Sequence, residues 1–131
     1  MNSAHKHGFL RSFTHAWHGV ATTYKTERSF RFQVWAAIAA VLLMFIFPLD
    51  DWKRAFVLLM IVIVLALELL NSIFERLLDS FRPRLHPVIA EMKDMMAAAV
   101  LVASAIAAAI GAILFWPYIL DLVNLLARGF Y

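Results

Sequence analysis

Five polar residues interrupt an apolar, helix-forming run at spacings that bring them together. In ALELLNSIFERLLD, Glu68, Asn71, Ser72, Glu75 and Asp79 close a segment that begins at Ala55 and is otherwise apolar except for Arg76. Successive helix residues turn by about 100°, so Glu68, Ser72, Glu75 and Asp79 fall within roughly 60° of one another, with Asn71 just beside them. An ionised carboxylate at membrane depth is costly and calls for a cation, a metal or a function. Carboxylates with an amide, in a chain without cysteine, favour a hard divalent cation such as Mg2+ with oxygen ligands. A carboxylate outside the metal's shell is a candidate general base. Glu27, Lys93 and Asp94 are further candidates, with Lys93 beside Asp94 placed to hold a nucleotide phosphate. Together these are parts of a phosphoryl-transfer site. Neither a Walker loop nor a kinase Gly-rich loop is present, and the chain has only four glycines. The bland reading is that Glu75 with Arg76, and Lys93 with Asp94, are solvated charges at helix ends. Glu68 fits it least, because apolar residues flank it on both sides.

The elements that must carry these residues follow from composition. At 131 residues, 63% hydrophobic and a mean hydropathy of +0.77, the chain is too apolar for its size to form an ordinary soluble domain. Three apolar stretches, Val34 to Leu49, Ala55 to Leu70 and Met95 to Leu120, are each long enough with their flanks to span a hydrocarbon core of about 30 Å. About thirty polar and aromatic residues precede the first, so it does not read as a removable signal peptide. The expected architecture is all-α and integral to the membrane. Three transmembrane helices, over about 31–49, 54–79 and 94–116, follow an amphipathic surface helix over 9–29. In that helix Phe9, Phe13, Ala16, Trp17, Val20 and Tyr24 recur at steps of three and four. Residues 1–8 read as a disordered start, with His5 and His7 solvated rather than a metal pair. Pro117 is expected to kink or end the third span, leaving 118–131 as an amphipathic tail. Ala99, Ala103, Ala107 and Gly111 repeat every four residues, a spacing that lets helix backbones approach closely in lipid.

Charge sets the expected orientation. Lys6, Arg11, Lys25, Arg28 and Arg31 precede the first span, and Arg76, Arg82, Arg84 and Lys93 flank the second connection. Against these nine stand Lys53, Arg54 and Arg128, which puts the N-terminus and the second connection in the cytoplasm and the acids of the second helix toward its cytoplasmic end. Trp52, Trp116 and Tyr118 would share the outer interface. The net charge of +3 reads as attraction to the inner leaflet; no nucleic-acid motif appears.

The string Glu68-x-x-Asn71-Ser72-x-x-Glu75-x-x-x-Asp79, followed by Lys93-Asp94-x-x-Ala97-x-Ala99-Val100, resembles the signature of the small prokaryotic diacylglycerol kinase family. Ala16-Trp17-x-Gly19 and Glu27-Arg28-Ser29-Phe30-Arg31 resemble its surface helix and the entry to its first span. The Lys25 to Arg31 run and the Leu85-His86-Pro87 turn are nearer its undecaprenol kinase branch. The likeness covers about residues 9 to 117. It implies a homotrimeric three-helix enzyme with sites shared between protomers, phosphorylating a lipid hydroxyl with MgATP. The implied reaction is diacylglycerol to phosphatidic acid, with undecaprenol as the alternative acceptor. It implies Glu68 as general base, Glu27 and Glu75 as Mg2+ ligands with the ATP phosphates, Asn71, Ser72 and Asp79 as ordering groups, and Glu27, Glu75, Asp79, Lys93 and Asp94 as the nucleotide set. The chain departs from the pattern at Ile73-Phe74, at Met96 and at Ala98, where larger or different side chains are expected to shift packing or narrow the pocket. A non-enzymatic oligomer or ion-conducting assembly is the rival from another class.

Overall fold

The computed structural model describes residues 3–80 and 86–128, with side chains for 11–80 and 87–128. Four helices follow one another: α1 (Ser3–Thr26), α2 (Arg28–Ile46), α3 (Asp51–Ser80) and α4 (His86–Arg128). Arg28–Ile46, Asp51–Ser80 and Pro87–Arg128 are long and apolar enough to cross a membrane. The all-α, three-span expectation therefore holds. Helical backbone starts at Ser3, where an irregular segment was expected up to residue 8; no proline interrupts that stretch, and extending a formed helix costs little per residue. The side chains of His5 and His7, and the loop residues Arg82, Pro83 and Arg84, lie outside the described residues.

Glu27 alone separates α1 from α2, with extended backbone at φ −101 and ψ 119. Its N–H still donates to the Thr23 carbonyl at 2.8 Å. The Arg31 guanidinium donates to the carbonyls of Tyr24 (3.2 Å) and Lys25 (3.0 Å), closing the open end of α1. Phe47 and Pro48 stop α2, and the Asp50 carbonyl accepts the Arg54 N–H at 3.1 Å as α3 begins. This short turn makes α2 and α3 antiparallel neighbours. α4 packs most extensively on α3.

Two contacts between α3 and α4 set their register: Lys53 donates to the Tyr118 hydroxyl at 3.0 Å, and Lys93 to Asp79 at 2.7 Å. They join positions 26 residues apart on α3 to positions 25 apart on α4, so the helices run antiparallel without slippage. Tyr118 thus sits level with the start of α3, as expected for residues sharing one interface. Lys53 also pairs with Asp50 at 2.8 Å. Its hydrogen bond and charge hold the Asp50 carboxyl below the usual carboxylate range.

α4 continues through Pro117 to Arg128 rather than ending there. Proline removes one ladder hydrogen bond, which water can replace near a membrane interface. Pro87, by contrast, stands in the first turn of α4, where no N–H donor is needed. At about 1.5 Å per residue the 43 residues of α4 reach roughly 65 Å, twice the hydrocarbon thickness. Of the small-residue stripe, Ala103, Ala107 and Gly111 are half-buried and Ala99 is exposed. A Cβ added at Gly111 would meet nothing within 4 Å, so the chain's own helices make no close approach there.

The packed core lies at the far end from the acids: Met44, Phe47, Leu49, Val57 and Phe115. The Phe47 ring meets Phe115 at 6.1 Å and Tyr118 at 5.8 Å. Replacing Phe115 by Ala should cost about 3 kcal/mol or more, read as an earlier unfolding midpoint in detergent micelles; an unchanged midpoint would show that this cluster does not hold the bundle.

Candidate functional site

The inward face of α3 changes chemistry along its length. Val57 and Ile61 hand over to Glu68 and Ser72, both 4% exposed, and then to half-buried Glu75 and exposed Asp79. Asn71 is half-buried beside them. The row inferred from helical spacing is thus one face, turned into the molecule at its deep end and toward water at its shallow end. From Glu68 to Asp79 it runs about 16 Å along the axis.

Glu68 is served from α2: Gln33 Nε2 donates to its Oε2 at 3.2 Å. Glu75 lies two turns further along the same helix face. A carboxylate offers about four lone-pair sites, so the Gln33 bond leaves capacity for a further donor. Several oxygens around it are buried without a hydrogen-bond partner: Gln33 Oε1, Asn71 Oδ1, Ser72 Oγ and, on α4, Ser104 Oγ. By the register fixed at Asp79 and Lys93, Ser104 is level with Glu68. Buried polar atoms of this kind call for water, a ligand or another chain.

At the shallow end the structure joins residues from three helices. Arg76 Nη2 donates to Thr26 Oγ1 at 2.6 Å and lies 3.5 Å from Glu27 Oε1, tying the α1–α2 junction to α3. Lys93 binds Asp79, whereas Asp94, one residue on, is exposed and turned away by the helix step. No three acids or histidines gather as a complete metal cage among the described residues. The donors present suit Mg2+ all the same: carboxylates with the unpartnered Asn71 oxygen nearby, and an ion that completes its shell with water and phosphate.

Three residues of this site escaped the sequence reading: Gln33, Thr26 and Arg76. Gln33 carried a signal, being an amide at the start of an otherwise apolar span. Arg76 counted toward orientation and as a solvated neighbour of Glu75, not as a partner of Glu27. Of the departures from the resembled pattern, Ile73 and Phe74 point away from the chain's own interior, 59% and 36% exposed, while Met96 is half-buried.

The profile of the family described as prokaryotic diacylglycerol kinase matches residues 14–115. Undecaprenol kinase from Bacillus subtilis is 36% identical over 109 residues, 83% of this chain and 89% of the relative. Diacylglycerol kinase from Synechocystis is 32% identical over 115 residues, covering 87% and 66%. Diacylglycerol kinase from Escherichia coli K12 is 28% identical over 109 residues, covering 83% and 89%.

The Gln33–Glu68 bond makes a prediction independent of activity. Gln33→Leu leaves a buried carboxylate without its side-chain donor and should lower stability in micelles by about 1–3 kcal/mol. An unaltered unfolding midpoint would mean that Glu68 does not depend on Gln33.

Proposed function

The chain belongs to the prokaryotic diacylglycerol kinase family and is a lipid kinase; on that premise we propose that it transfers the γ-phosphate of ATP to the hydroxyl of diacylglycerol, giving phosphatidic acid, with Glu68 as the general base. The observation that carries the reading is the burial of Glu68 on an apolar helix, beside one amide donor and on the same helix face as Glu75. Family membership sets aside the non-enzymatic alternative.

The acceptor oxygen attacks the γ-phosphorus as its proton passes to the Glu68 carboxylate. The bond from the γ-phosphorus to the β–γ bridging oxygen breaks, and ADP leaves with that oxygen. Gln33 keeps the carboxylate oriented, and the depth of Glu68 suits a hydroxyl that arrives from the bilayer. Glu27 and Glu75 would hold Mg2+ with the nucleotide phosphates; when bound, the ion neutralises charge on the transferred phosphoryl group. Lys93 leaves Asp79 to meet a phosphate, Asp94 and Asp79 border the nucleotide, and Asn71 and Ser72 donate or accept within the pocket. The charge asymmetry of the loops supports a cytoplasmic N-terminus, which puts the shallow end within reach of ATP. The partnerless buried oxygens support a homotrimer with shared sites.

A second reading, undecaprenol as acceptor, is favoured by one observation: the B. subtilis undecaprenol kinase is 36% identical, against 28% for the E. coli diacylglycerol kinase over an equal length. Purified protein in mixed micelles with MgATP, offered each lipid in turn, decides between them by which is phosphorylated. No product from either would sink the proposal. Glu68→Gln should lower turnover by about two orders of magnitude or more with folding intact; retained turnover would remove Glu68 as the base.

A further inference from the structure

Arg76 is a cation in the acid-rich end of the bundle with no part in the reaction above. It follows Glu75 in sequence, yet its guanidinium reaches the α1–α2 junction, 2.6 Å from Thr26 Oγ1 and 3.5 Å from Glu27 Oε1. The Thr26 hydroxyl lies 3.1 Å from the Thr22 carbonyl and 3.1 Å from Glu27 Oε1. A hydroxyl has one hydrogen and serves one of these acceptors at a time, so Arg76 supplies the lasting positive contact. Glu27 is the single extended residue between two helices, and its side chain is directed by this network. The pair is open to ions: the Arg76 and Glu27 side chains are 49% and 30% exposed.

We propose that Arg76 is the resident counter-cation of Glu27, positioning its carboxylate and competing with the divalent metal for it, and so sets how much metal the kinase requires. The inference rests on the reading of Glu27 as a metal ligand. A guanidinium and a divalent ion on one carboxylate repel each other, so loading the metal requires Arg76 to withdraw. Arg76 is thus a positioning residue that acts through Glu27. Removing its charge makes the metal easier to bind, the opposite of what loss of a phosphate-binding arginine would do.

The test uses Mn2+ as probe, its binding followed by electron paramagnetic resonance on the full chain in micelles with a non-hydrolysable ATP analogue. Arg76→Leu and Arg76→Gln should each tighten Mn2+ about twofold to fivefold, the range for an exposed ion pair. The Mg2+ concentration for half-maximal turnover should fall by a like factor. Gln keeps a donor for Thr26, so agreement of the two variants assigns the effect to charge rather than to folding. In a Glu27→Gln background the Arg76 substitutions should have no effect. Unchanged or weaker Mn2+ binding in both Arg76 variants, with Glu27→Gln still weakening it, overturns the competition while leaving Glu27 a ligand. If Glu27→Gln leaves Mn2+ binding unaltered, the ligand reading of Glu27 fails and the inference fails with it.

Discussion

A carboxylate at 4% exposure on an apolar helix is the constraint around which this molecule is organised. Glu68 cannot be stranded there without a polar neighbour, because an unpaired charge out of water is far more costly than an unpaired amide. Gln33 meets that need only because the turn after Phe47 is short enough to return α3 alongside α2. The same antiparallel pairing brings the C-terminal half of α3 to the α1–α2 junction, and with it Glu27. One buried acid therefore requires a loop length, a helix register and a hinge.

The bundle has two chemically distinct ends. One is aromatic and tightly packed, with Phe47 between Phe115 and Tyr118 and with Lys53 shared by Asp50 and the Tyr118 hydroxyl. The other is polar, and several of its buried oxygens lack partners within the chain. Rigid packing at one end holds the helices in register, and the incompletely satisfied end can still take a ligand or a neighbouring copy. The two lysine contacts between α3 and α4 link these ends mechanically: a slip of one residue would break both.

Much of this was legible along the chain. The three spans follow from apolar run length, and the shared face of Glu68, Ser72, Glu75 and Asp79 follows from the helical step alone. The break at Phe47 and Pro48 follows from the lack of an N–H in proline. Other features were not legible. Pro117 reads as a kink or a stop, and only the structure shows that α4 passes through it, because whether a lost hydrogen bond can be replaced depends on surroundings. Lys93 and Asp94 read as a pair, but neighbouring residues on a helix point about 100° apart, and Lys93 goes to Asp79 instead.

The sequence by itself determined the all-helical membrane class, the acidic face of α3 and its division into deep and shallow parts. These depend on spacing within a single helix, which backbone geometry sets. Only the tertiary structure decided which donor meets which acid: the Gln33 amide with Glu68, Arg76 with Glu27 rather than with adjacent Glu75, and Lys93 with Asp79. Such pairings depend on the rotation and register of one helix against another. Those are fixed by packing at both ends of the bundle, by Phe47 and Phe115 at one and by Phe30, Leu78 and Ile89 at the other, between residues far apart in the chain.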